Sequence, residues 1–238
     1  MNRFYKDVST GPAIEGGYVV LLDGRPVRTP QKALMAAPTE TLIKRIADEW
    51  ASQGETIQAQ TMPLTQLLTT AIDRIHMRAE ITQEVLKYLN GDLLCYRAGD
   101  PEALAAEQDR LWNPPLRWFE ETYGVNLETT FALSRLDQPD AAHVATARAI
   151  AGMDAHEFTV FQMVVSLTGS VVLALALTQG TINPEDALNA TLCEELFYER
   201  TLDLTRHGLD PIEEKRRTSL SRDLDAAQAY LKSTRTSH

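Results

Sequence analysis

The ten residues LLDGRPVRTP, at positions 21–30, decide the fold of this chain, because they join two β-favouring segments through a tight turn. Asp23-Gly24 follows the apolar run from Tyr18 to Leu22, and such a dipeptide is a strong signal for a β-hairpin. A type I′ turn needs positive φ at both central residues, which Asp tolerates and Gly adopts freely. The predicted strands cover residues 4–9, 17–22 and 25–28, with a possible short strand at 34–36.

Most of the sequence after this hairpin has the apolar spacing of α-helices. A first helix begins at Thr39 and has one apolar face, made of Leu42, Ile43, Ile46, Ala47 and Trp50. Later helices are predicted at 63–75, 78–90, 101–111, 116–123, 140–151, 155–178, 184–206 and 210–233. The Pro114-Pro115 pair predicts a break in the helical pattern, because proline removes a backbone donor and clashes with the preceding turn.

The predicted fold class is therefore α+β, with a change of composition along the chain. A small N-terminal α+β domain, made of the hairpin strands and one helix, covers residues 1–60. A larger all-helical bundle domain covers residues 61–238, since short gaps between helices favour packing against neighbours. Asp23, Gly24 and Trp50 are structural residues of the N-terminal part in this interpretation, and contact with a partner is the alternative role for Asp23, Arg25 and Arg28.

Composition and charge restrict the partners of the protein. The 238 residues carry a formal net charge of −10, and 44% of them are hydrophobic, which suits a sizeable core. An acidic chain lacks the basic face that nucleic acids and anionic membranes require, so we expect neither as a partner. The two cysteines, Cys95 and Cys193, are interpreted as reduced and buried, which favours a reducing compartment, and a structural disulfide is the alternative. The sequence opens without the pattern of a signal or transit peptide, so we expect a protein of the bacterial cytoplasm or, for a processed eukaryotic form, of the mitochondrial matrix.

One uncharged segment, from Phe158 to Asn183, has the length of a membrane span. Polar residues interrupt it, and the flanking charges Glu157 and Glu185 are acidic on both sides, without a positive anchor. A helix that is apolar all round also suits the centre of a helical bundle, so a buried central helix is the predicted structure. A membrane-inserted factor is the alternative.

The usual signatures of catalysis and of cofactor binding do not occur in the sequence. Motifs for phosphate cradles, dinucleotides, zinc proteases and serine hydrolases are missing. The five histidines have no partner histidine or cysteine at metal-ligand spacing. We therefore expect no catalytic residues, no cofactor and no metal, and a protein that is not an enzyme.

Blocks of sequence resemble a known family. The opening RFYK at residues 3–6 and the block LDGRPVRTP at 22–30 are similar to the ATP12 family, assembly chaperones of the F(1) sector of ATP synthase. Further matching blocks follow in the expected order at residues 49–55, 62–73, 94–97 and 112–125. The resemblance covers most of the chain and is densest up to about residue 125.

The resemblance implies a chaperone that binds the free α subunit of F(1)-ATPase. Such a chaperone covers the surface through which α meets the β subunit, and it yields that surface when β arrives. The family's acidic position on a late helix matches Glu194 or Glu195, and both remain candidates for partner contact. The protein is expected to be a monomer when free. The alternative from another class is an enzyme or small-molecule-binding protein with a site in a cleft between the two domains.

Overall fold

The computed structural model describes residues 1–201 and 211–235, and this part of the chain contains a small antiparallel sheet and ten α-helices. The strands are β1 (Val8–Pro12), β2 (Tyr18–Leu22), β3 (Arg25–Pro26) and β4 (Ala36–Ala37). The helices are α1 (Glu40–Ala51), α2 (Pro63–Asp73), α3 (Arg78–Tyr88), α4 (Glu102–Tyr123), α5 (Asp140–Ala151), α6 (Ala155–Thr168), α7 (Val171–Gln179), α8 (Pro184–Thr191), α9 (Cys193–Thr201) and α10 (Pro211–Thr234). The α+β fold class is confirmed.

Contacts divide the described residues into two compact units. The first unit contains Met1–Arg78, Asp154–Val160 and the described residues from Ala229 onward. The second unit contains Ala79–Met153 and the described residues of 161–228. The division of the chain into folding domains at residues 1–60 and 61–238 stays a prediction.

Strand β2 is the centre of the sheet in the first unit. It pairs antiparallel with β1, β3 and β4, and Val20 at its middle is fully buried. Asp23 and Gly24 connect β2 to β3 with φ of 47° and 77°, the positive values that a type I′ turn requires. Helix α1 packs on β1 and β2 through the five apolar residues that its periodicity indicates.

The first strand begins later than the predicted range of 4–9, at Val8. The reason lies in the side chain of Asp23, whose Oδ1 accepts hydrogen bonds from the backbone nitrogens of Lys6 and Asp7 at 3.0 and 2.8 Å. These two donors bind a carboxylate instead of a neighbouring strand. The hairpin turn therefore fixes the path of the preceding chain as well as its own.

Helix α4 is the central helix of the second unit and packs against α7, α8 and α9. It runs through Pro114 and Pro115, so the predicted break there is wrong. Buried residues on both sides of the prolines outweigh the lost hydrogen bonds: Trp112 and Phe119 are 1% and 0% exposed. The indole Nε1 of Trp112 also donates to the carbonyl of Ala190 at 2.8 Å.

Two predicted long helices are each divided in the structure. The segment 155–178 forms α6 and α7, because Gly169 has φ of 66° and the hydroxyl of Ser170 caps α7. The segment 184–206 forms α8 and α9, which are separated at Leu192. Residues 202–206 of this predicted helix, and residue 210 of the last predicted helix, lie outside the described part of the chain. Residues 171–178 are all buried, and within the described residues no helix is long and apolar enough to cross a membrane.

Candidate functional site

Glu194 is the first of the two acidic candidates on α9, and its position depends on a buried glutamine. Its Oε1 accepts a hydrogen bond of 2.6 Å from Nε2 of Gln108 on α4. Gln108 is only 1% exposed, and its own Oε1 accepts from the backbone nitrogen of Ala98 at 2.8 Å. The amide of Gln108 is therefore held at both ends, and it fixes an exposed carboxylate at the surface of the second unit.

Glu195 has a different environment, although it is adjacent to Glu194 in sequence. Its Oε2 accepts from the guanidinium of Arg216 on α10 and lies 3.7 Å from Nε of Arg217. The hydrogen bond from Arg216 also lowers the pKa of Glu213 to about 2. Glu195 is thus part of an ion-pair cluster between α9 and α10, in which two arginines are shared by Glu195, Glu199 and Glu213.

The structure therefore separates the two candidates by charge. Among residues 1–201 and 211–235, no cation lies within ion-pair distance of Glu194, whereas Glu195 has two arginines near it. Adjacent residues on a helix point about 100° apart, which explains why one side chain contacts α4 and the other contacts α10. Within the described residues, the charge of Glu194 is therefore not balanced by a paired cation, unlike that of Glu195.

The first unit contains an apolar groove beside the hairpin, with a cavity volume of about 630 Å³. We call it the hairpin groove, and its apolar lining consists of Met1, Phe4, Leu22, Pro26, Val27 and Trp50. Arg25, Arg28 and Asp23 are the charged residues that line it. Two of the sequence-predicted structural residues, Asp23 and Trp50, thus lie at one groove, and Gly24 lies in the adjoining turn.

Trp50 forms one wall of the hairpin groove and is 9% exposed. Its ring contacts that of Tyr5 at a centroid distance of 5.7 Å, and the Tyr5 hydroxyl donates to the Trp50 carbonyl at 2.7 Å. The indole Nε1 is buried and has no acceptor among the described residues. Trp50 therefore supports the groove through packing, and its role as a structural residue stays a prediction.

The two thiols and the carboxylate of Asp92 are buried in the described part of the chain. Burial raises the pKa of Cys95 well above its usual range and that of Cys193 to about 11, so both thiols stay protonated at neutral pH. The carboxylate of Asp92 is fully buried and accepts from the backbone nitrogens of Leu94, Val171 and Val172. Among the described residues, no group of three or more His, Cys, Asp or Glu could hold a metal ion.

Gln108 is not among the residues predicted from the sequence, although its position carries a signal. It lies four residues from Leu104 and from Trp112, so it is a polar residue on the apolar face of α4. Such a residue must find hydrogen-bond partners when it is buried, and here the partners are Ala98 and Glu194. A buried polar residue on an apolar stripe was therefore a pointer to the carboxylate that it positions.

Comparisons with known proteins agree on one family. The sequence model of the ATP12 chaperone protein matches residues 2–120. The mitochondrial protein atp12 of Schizosaccharomyces pombe is 25% identical over 206 residues, which cover 81% of this chain and 70% of that protein.

Solved structures of bacterial proteins extend the match to almost the whole chain. The crystal structure of Atp12 from Paracoccus denitrificans has a TM-score of 0.86 and 31% identity, and the match covers 98% of each chain. The crystal structure of the Atu1473 protein from Agrobacterium tumefaciens has a TM-score of 0.87 and 35% identity, and the match covers 98% of this chain and 86% of that one. The chain therefore belongs to the ATP12 family of ATP synthase assembly chaperones.

Proposed function

We propose that this chaperone binds the free α subunit of F(1)-ATPase and shields the surface through which α contacts the β subunit. The β subunit then replaces the chaperone as the hexamer assembles. The observation that carries this proposal is the match to Atp12 of Paracoccus denitrificans over 98% of both chains. A mechanism of this kind needs competition between two protein surfaces and requires neither bond cleavage nor a nucleotide.

The acidic residues of α9 are our proposed contact with the client, and Glu194 is the stronger candidate. Its carboxylate is exposed, positioned by Gln108 and unpaired with any described cation, so it can accept a hydrogen bond from a basic side chain. Glu195 is held by Arg216 and Arg217 and would have to break these ion pairs first. A charged contact of this type guides the register of a complex and speeds its formation.

The test is co-purification of this protein with separately expressed α and β subunits of its own ATP synthase, together with light scattering of the α subunit. Selective capture of α with suppressed aggregation supports the proposal. Capture of neither subunit, or of β alone, contradicts it.

Two matched variants separate the acidic residues. Glu194→Gln removes the charge and keeps the side-chain length, and it should weaken capture of α about tenfold or more, because a hydrogen bond to a charged group contributes about 1.5–3 kcal/mol and each difference of about 1.4 kcal/mol is tenfold in affinity. Glu195→Gln should change capture by less than about threefold, because the carboxylate is already paired with arginine. The opposite ranking would assign the contact to Glu195.

The free protein is proposed to be a monomer in the bacterial cytoplasm or, for a processed eukaryotic form, in the mitochondrial matrix. A chaperone that covered its own binding face in a dimer would compete with its client. Relatives include a mitochondrial protein and proteins of bacteria. Light scattering of the purified chain gives the oligomeric state directly.

A further inference from the structure

The hairpin groove exposes large apolar side chains at its mouth. Phe4 is 64% exposed and Met1 is 75% exposed, and both lie at the same cavity as the partly buried Val27. Exposed aromatic residues that rim a preformed apolar depression are typical of sites that bind another chain. The groove lies entirely within the first unit, whereas Glu194 lies in the second.

The charge around this groove is opposite to that of the whole protein. Arg25 and Arg28 are exposed at its rim, and the guanidinium of Arg25 forms no hydrogen bond or ion pair among the described residues, although its charge acts on Asp23. Arg28 uses one nitrogen to donate to the carbonyl of Lys32 at 2.8 Å, which leaves other donors of its guanidinium available. Residues 1–35 carry five basic and three acidic side chains in a chain of net charge −10.

The nearby acidic side chain, Asp23, forms no ion pair with either arginine among the described residues. Its carboxylate accepts from the backbone nitrogens of Asp7 and Lys6, and these bonds lower its pKa, although the positive charge of Arg25 also acts on it and helps to lower that pKa. The same bonds hold the chain before β1 against the hairpin turn. The backbone that carries the two arginines is therefore already ordered. Less conformational entropy is lost when a partner binds, which favours binding.

Pro26 restricts how a partner can occupy the groove. Strand β3 has two residues, and Pro26 lacks the N–H that an added strand would pair with. Recognition by side chains is therefore favoured over addition of a strand to the sheet. An apolar side chain fits the lining, and a neighbouring carboxylate can accept paired hydrogen bonds from a guanidinium.

We propose, on the basis of the proposed function above, that the hairpin groove binds an extended segment of the client subunit in which an apolar side chain lies next to a carboxylate. The apolar side chain packs against Phe4 and Val27, and the carboxylate pairs with Arg25 or Arg28. The chaperone thus holds its client at a second surface, in addition to the acidic contact on α9.

Photo-cross-linking of the full-length protein to purified α subunit tests the location of this surface. Phe4 is replaced by p-benzoylphenylalanine, and Ile14, which is fully exposed and outside the groove lining, receives the same replacement as a control. We expect a cross-link from position 4 to one segment of the α subunit. That segment should contain an apolar residue within two positions of an Asp or Glu. Cross-linking from position 14 but not from position 4, or a link between two copies of this chain, would overturn the proposal.

Charge-reversal variants test the chemistry of the same groove. Arg25→Glu/Arg28→Glu should weaken binding of α about tenfold at low salt, with a smaller loss at high salt, because rim charges act mainly on association and are screened. The control Arg135→Glu/Arg148→Glu makes the same change in net charge at exposed positions outside the groove, and it should have little effect. Equal losses for both pairs would contradict a specific contact.

The outcomes distinguish this inference from the function on which it rests. If the wild-type protein captures α and the groove variants bind normally, the groove is not a client site while the chaperone function stands. If the wild-type protein captures neither subunit, the proposed function itself fails. Circular dichroism and thermal melts of each variant confirm that the compared proteins are folded.

Discussion

Gln108 on α4 donates a hydrogen bond of 2.6 Å to Glu194 on α9, and this contact connects a fully buried amide to an exposed carboxylate. The other end of the amide accepts from the backbone nitrogen of Ala98. Core packing of the second unit therefore determines where the charge of Glu194 stands. A substitution of Gln108 in the core should therefore change the position of the Glu194 carboxylate at the surface.

Replacement of Gln108 by Leu should lower the free energy of unfolding by about 1–3 kcal/mol, because the half-buried N–H of Ala98 loses its acceptor. Urea denaturation measures this change. The control Gln179→Leu removes a hydrogen bond to Tyr123 from an exposed side chain and should stay within about 0.5 kcal/mol of wild type. Equal stability of the Gln108→Leu protein and wild type would show that the amide is not needed.

Trp50→Arg should destabilise the protein by more than about 3 kcal/mol, because it places an unpaired charge in a buried position beside Tyr5. Trp50→Phe should cost less, since it keeps an apolar ring and removes a buried N–H that has no acceptor among the described residues. Thermal denaturation ranks the two variants. A Trp50→Arg protein as stable as wild type would contradict the structural role of this residue.

Two glycines with positive φ should respond differently to replacement by alanine. A Cβ on Gly24 meets nothing within 4 Å, so Gly24→Ala should cost only the backbone strain of about 1 kcal/mol. A Cβ on Gly17 would lie 2.5 Å from the carbonyl oxygen of Ala37, so Gly17→Ala should cost at least about 2 kcal/mol. Denaturant titration compares the losses in unfolding free energy of the two variants. Equal losses would mean that the backbone near Ala37 in β4 can shift to relieve the contact.

The stability of the protein should depend on pH through Asp92. Burial raises its pKa to about 6, while three backbone nitrogens that donate to it act in the opposite direction. The folded protein thus binds the proton more tightly than the unfolded chain, so the contribution is complete below about pH 4 and is lost as the pH rises through 6.

Between pH 7 and pH 5 the wild-type protein should therefore gain about 1 kcal/mol of stability relative to Asp92→Asn, which has no carboxyl to protonate. Urea denaturation at pH 7, 6 and 5 gives both curves. Parallel curves for the two proteins would show that the pKa of this carboxyl is not raised in the folded state.

The local chemistry of the hairpin and the caps could be predicted from sequence. Asp23 and Gly24 have the φ values that their residue types indicate, and the face of α1 is the one that its periodicity gives. Asn183 also begins α8, at the helix start predicted from the sequence at residue 184, and the structure adds a capping box to Asp186. These features depend on residues close in sequence, which is why a single chain reveals them.

The features that differ from the sequence prediction depend on contacts between residues that are distant in sequence. Pro114 and Pro115 stay helical because Trp112 and Phe119 are buried by other helices, which no local propensity reveals. The break between α6 and α7 is favoured by Asp92, which lies almost eighty residues earlier and caps α7 through Val171 and Val172. The contact between Gln108 and Glu194 could not be predicted for the same reason, because the two residues are 86 positions apart in sequence.

Isothermal titration of this protein into free α subunit, and separately into assembled F(1) hexamer, tests whether the chaperone and the β subunit compete for one surface of α. We expect one-to-one binding to free α and no binding to the hexamer, in which the β subunit already covers the surface. Equal binding to both, or binding to neither, would contradict a chaperone that shields the interface of α with β.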